Sequence, residues 1–140
     1  MLMICWNVIK LMSVLIVLAA VGCGGQAEGP QRYTLTGTVT YQGKPVPEGE
    51  IVITPDRSAN HSGLGSYATI KNGHYETAPG KGITGGAYLL SVTGFDGVPF
   101  KSDDGGETFL QGKALFSDFK LKQQFQSQDE TLDIEVPAGK

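Results

Sequence analysis

From Arg32 onward the chain alternates apolar and polar positions with a period of two: Tyr33, Leu35, Gly37, Val39 and Tyr41 fall on one side, and Thr34, Thr36, Thr38 and Thr40 on the other. Successive side chains of a strand point to opposite faces, so this pattern predicts a strand with one face on a core and a threonine ladder toward water. Glycine and proline between Gln42 and Gly49 interrupt it, Glu50 to Thr54 makes the next strand, and Pro55 ends that one. The connection between the two reads either as a long-looped hairpin or as a crossover between sheets.

Asn72-Gly73 is a strong hairpin signal, because both central residues of a type I′ turn need positive φ. It predicts a register in which Lys71 faces His74, Ile70 faces Tyr75, Thr69 faces Glu76 and Ala68 faces Thr77, with Ile70 and Tyr75 inward and His74 in water. A fifth strand runs from about Gly86 to Thr93 with Tyr88, Leu90 and Val92 on one face, and a last one from Thr131 to Val136 stops at Pro137. Residues 95–111 read as a loop. In 113–122, Leu115, Phe116, Phe119 and Leu121 follow no single period, which predicts a short strand with a bend. About seven short strands with turn signals between them and no convincing helix predict an all-β fold, a single β-sandwich over residues 32–140. At period-two positions, Tyr33, Tyr41, Tyr67, Tyr75 and Tyr88 read as core residues rather than as a carbohydrate platform.

The first 22 residues are patterned differently. Lys10 precedes the apolar run Leu11 to Leu18, which ends in small residues, the layout of a secretory signal. Ala20, Val21, Gly22 and Cys23 resemble the lipobox of bacterial lipoproteins, with Ala20 where Leu is usual. The resemblance implies a signal peptide over 1–22, cleavage before a lipidated Cys23, and a flexible polar tether over 23–31, where Gly24, Gly25, Gln26 and Gly29 predominate. The alternative is that residues 2–21 remain as an uncleaved anchor, since Ile4, Trp6, Val8 and Ile9 lengthen the apolar stretch toward a bilayer span. Cys5 and Cys23 are the two cysteines, so a chain cut before Cys23 has no intramolecular disulfide. Gly24 after Cys23, by analogy with lipoprotein sorting in bacteria with two membranes, points to the outer membrane and the cell envelope.

Charge narrows the partners. The net charge of −3 becomes about −4 without Lys10, and no basic stripe or arginine-rich arm is present, which argues against nucleic acid. His61 and His74 fit no zinc spacing and have no adjacent partner that would make either a general base, so no catalytic residue, no metal ligand and no cofactor are assigned. Both histidines read as surface residues. Asp96, Asp103, Asp104 and Glu107 form an acidic, glycine-rich loop that is a candidate binding loop, with oxygen ligands for calcium as one reading and plain solvation as the other. Asn60-His61-Ser62 is formally a glycosylation acceptor, a reading a bacterial host removes.

Gly37, Val39, Gly43, Pro45, Val46, Gly49 and Ile51 match in order the opening G-x-V-x-x-x-G-x-P-V-x-x-G-x-V of carboxypeptidase regulatory-like and transthyretin-like (prealbumin-type) domains. Asn72, Gly73 and Tyr75 resemble their D-G-x-Y hairpin, and Gly86, Tyr88, Leu90 and Val92 their G-x-Y-x-L-x-V strand. The resemblance spans residues 33 to about 95 and implies an Ig-like, prealbumin-like sandwich. Its functional implication is an accessory, folding or binding module. Hydroxyisourate hydrolases share that sandwich, but their C-terminal Tyr-Arg-Gly-Ser is absent from a chain ending in Val136, Pro137, Ala138, Gly139 and Lys140. The expectation is therefore a non-catalytic, lipid-anchored envelope protein that contacts another envelope protein or a glycan. A small-ligand, glycan or calcium binder using the 96–111 loop is the alternative, and a transthyretin-like hydrolase the third.

Overall fold

The computed structural model describes residues 29–139, and apart from a 3-10 turn at Arg57–Ala59 every regular element in it is a strand. The expected signal peptide, Cys23 and most of the expected tether lie outside the described residues. No described helix is long and apolar enough to cross a membrane.

β1 (Leu35–Tyr41) keeps the expected alternation, with Leu35 and Val39 fully buried. It turns through Gln42 and Gly43, both at positive φ, into the two-residue β2 (Lys44–Pro45), which pairs back on it. β3 (Glu48–Pro55) does not pair with β1. It lies between β4 (Ser66–Lys71) and β6 (Gly86–Phe95), so the connection is a crossover. The place beside β1 is taken by β5 (His74–Thr77), which the tight Asn72-Gly73 turn delivers in the expected register, Lys71 against His74 through Ala68 against Thr77.

Two expectations change in the last third of the chain. The bent strand is longer than 113–122: β9 (Ala114–Phe125) runs antiparallel to β6 along its whole length. Phe116 and Phe119, three residues apart, oppose the inward positions Gly94 and Val92. A bulge between them holds Asp118 at φ 55° and resets the alternation, which is why the apolar residues follow no single period. The Ser91 hydroxyl donates to the Asp118 carboxylate at 2.6 Å, and the Asp118 N–H donates to the Thr93 hydroxyl at 3.2 Å. The last strand is two pieces, β10 (Glu130–Thr131) and β11 (Ile134–Val136), both parallel to β1. Between them the Leu132 carbonyl accepts the Tyr75 hydroxyl at 2.7 Å, and the Asp133 carboxylate accepts the Thr38 N–H at 3.0 Å.

The main sheet runs β10, β1, β5, β4, β3, β6, β9, with β11 and β2 also on β1. It curls around a core to which most of its strands contribute, including Val39, Ile51, Ile70, Tyr88, Leu90 and Ile134. The result is an all-β, sandwich-like domain. The outer edge of β9 ends the sheet, and there Lys120, Lys122 and the Asp118 bulge disfavour pairing with a stray strand.

Candidate functional site

The chain enters the domain at Arg32. Its guanidinium donates to three carbonyls, those of Gly65 (2.6 Å), Lys81 (2.8 Å) and Gly82 (2.8 Å from Nε), and Tyr33 bridges Ile83. β6 begins three residues after Ile83 and runs for 10 residues, so its far end lies roughly 30 Å away. The residues that follow it, 96–113, leave the sheet there and return as β9.

Where a plain loop is expected, this excursion contains a second, two-stranded sheet, β7 (Phe100–Lys101) against β8 (Thr108–Phe109). The Phe100 and Phe109 rings stack with centroids 5.1 Å apart, and Lys113 Nζ lies 5.6 Å from the Phe100 centroid. The small sheet has no covering layer, so its apolar residues meet water: Leu110 is 73% exposed, Val98 64% and Phe109 42%. Leu115, the extra residue of a second bulge between Ala114 and Phe116, is 36% exposed at the base. Leu115 and Asp96 also line, with Tyr41, Pro45 and Pro47, a hollow of about 310 Å³.

The four acidic residues of the excursion are placed apart by role. Asp96 closes its base: one carboxylate oxygen accepts the N–H of Val98 at 2.9 Å and of Lys113 at 3.0 Å. Asp103, Asp104 and Glu107 sit at the exposed tip. There Asp104 accepts the Ser102 hydroxyl and the Gly106 N–H, and these bonds, the hydroxyl first, hold its carboxyl below the usual carboxylate range. The Ser102 N–H donates to the Glu107 carbonyl at 2.9 Å, so the tip is a turn organised by its own groups. No three acidic, histidine or cysteine side chains gather as a cation cage among the described residues.

Asp96 is the residue on which the shape of the excursion depends. Asp96→Ala removes a charged acceptor from two N–H groups, which costs about 2 kcal/mol and raises the open population of the hairpin roughly thirty-fold. Tryptic cleavage at Lys101 should accelerate by about that factor while the thermal midpoint of the sheet barely moves. Unchanged cleavage would assign the closure to the Phe100–Phe109 stack instead.

Two sequence readings are corrected around the sheet. Tyr75 and Tyr88 are core, and Tyr33 and Tyr41 pack against it, but Tyr67 is half-exposed on the outer face, where its hydroxyl donates to Glu50 at 3.2 Å. His74 is exposed as expected, whereas His61 is half-buried. Its ring lies edge-on to Tyr88 with centroids 4.8 Å apart, and its Nε2 is shielded from water with no hydrogen-bond partner among the described residues. The exposed apolar residues Val98, Phe109 and Leu110 carry no charge or ligand chemistry that marks them in the sequence. The available signal was that they have no alternating neighbours to bury them with. No protein-family model, curated protein or solved structure matches the chain.

Proposed function

We propose that this chain is a non-catalytic, lipid-anchored protein of the cell envelope that acts as an interaction module, held to the membrane through Cys23 and contacting an envelope partner protein through the 96–115 excursion. The observation that supports this reading most is the apolar group Val98, Phe109 and Leu110, exposed on a braced hairpin at the far end of β6 from where the tether enters. Apolar side chains gathered in this way are a usual mark of a protein contact. Their distance from the tether keeps them clear of the anchor point, within reach of a second protein.

Two measurements test the two halves. Protein recovered from membranes of a host that processes lipoproteins should have a mass that starts at Cys23 and includes acyl chains, and Cys23→Ala should abolish both. A full-length unmodified mass would instead assign residues 2–21 to an anchor. A photoreactive side chain in place of Leu110 should give one discrete cross-linked adduct in intact envelopes. The same side chain in place of Arg57, at the other end of the domain, should give none. Equal labelling from both positions would remove the excursion as the contact.

A further inference from the structure

The outer face of β10, β1, β5 and β4 carries the threonine ladder, and the register arranges it in two rows across the strands. One row is Thr131, Thr36, Glu76 and Thr69, and the other is Asp133, Thr38, His74 and Lys71. Together they line a shallow, wide-open groove of about 580 Å³ on the sheet face. Its two banks differ. On the β1 side the polar groups are tied to each other: the Thr38 hydroxyl donates to Asp133 at 2.8 Å, and the Thr36 and Thr131 hydroxyls lie 3.3 Å apart. On the β5 and β4 side, Glu76, His74 and Lys71 make no side-chain hydrogen bond or ion pair among the described residues, although all three are on paired strands.

From this arrangement we infer that the groove binds a neutral, hydroxyl-rich ligand, a glycan segment, with Glu76, His74 and Lys71 as its principal contacts. Sugar hydroxyls both donate and accept. Glu76 and Asp133 accept from them, Lys71 donates to them, and the threonine hydroxyls do either, while the threonine methyls meet the C–H faces of the rings. The mixed charge selects for neutrality: an anion at Lys71 meets Glu76 and Asp133, and a cation at Glu76 meets Lys71. The groove is separate from the 96–115 excursion, so this inference stands or fails independently of the protein contact proposed above.

The test is a titration of the full chain in detergent micelles with maltohexaose, cellohexaose and chitohexaose, followed by amide NMR shifts. At least one oligosaccharide should shift the amides of Thr36, Thr69 and His74 saturably, with a Kd of about 1 mM. Glu76→Ala should weaken that binding about tenfold, a change of roughly 1.4 kcal/mol, without moving the thermal midpoint, and His74→Ala should weaken it in the same direction. Leu110→Ser should leave it unchanged. The inference is overturned by the absence of a saturable shift with all three sugars, by shifts indifferent to Glu76→Ala, or by a lysine-rich peptide binding the same amides more tightly than any of them.

Discussion

Val39→Asp is expected to unfold the domain at room temperature and neutral pH. Val39 is fully buried in β1 within the apolar cluster, opposite Ile134 of the parallel strand β11. The side chains packed with it in that cluster are apolar, so a carboxylate there is desolvated. The cost is on the order of 5 kcal/mol or more. A domain of this size has roughly 5–15 kcal/mol of stability in total, so little or none remains. The neighbouring substitution Thr38→Asp is the control, and the structure alters what is expected of it. Alternation alone makes Thr38 a solvent position that tolerates a charge. In the fold, the Asp133 carboxylate accepts both the N–H and the hydroxyl of Thr38, so a second carboxylate meets a like charge and loses a bond. A loss of about 1 kcal/mol follows. Circular dichroism melts of the two variants separate the cases, and equal melting behaviour would mean that the alternation of β1 is wrongly assigned.

Gly37→Ala should be the most damaging single-methyl change in the chain's first strand. A Cβ at Gly37 would lie 1.9 Å from the Leu132 carbonyl oxygen, a backbone atom, and 3.1 Å from the Tyr75 ring. That carbonyl already accepts the Tyr75 hydroxyl, and the Leu132 N–H donates to the Thr36 carbonyl at 2.9 Å. Relieving the overlap means moving the segment between β10 and β11 off β1, with loss of both bonds. We expect a loss of about 3 kcal/mol, and a fall in Tm on the order of 15 °C. Gly43→Ala is the matching control, since Gly43 has positive φ but nothing within 4 Å of its missing Cβ. Its cost is the conformational one alone, about 1 kcal/mol. Similar melting temperatures for the two variants would mean that the close approach of Leu132 does not limit this strand.

These two predictions rest on different kinds of information. The inward position of Val39 is legible in the alternation of β1, because a period of two maps directly onto two faces of a strand. The close contact at Gly37 is not, because Leu132 is 95 residues further along and comes beside β1 through a parallel pairing that no local pattern encodes. The same division holds for the candidate sites. The acidic residues of the 96–111 loop stand out in the sequence, yet Asp96 serves as a hydrogen-bonded closure and the others form a turn at the tip. The apolar residues beside them do not stand out, since exposure is a property of what fails to cover a side chain.

Local patterning by itself determined β1, β3, β4, β5 and β6, the register of the β4–β5 hairpin and the inward set Val39, Ile70, Tyr75, Tyr88, Leu90 and Val92. Each of these follows from the two-residue period or from the backbone demands of a two-residue turn, which act between near neighbours. The tertiary structure alone decided the crossover of β3, the parallel return of β10 and β11, and the bulges that rotate β9. It also decided the joining of Glu76, His74 and Lys71 with Thr36 and Asp133 into one groove. Those outcomes depend on which strands become neighbours once the sheet has curled, and pairings between residues as far as 95 positions apart leave no periodic trace in the sequence.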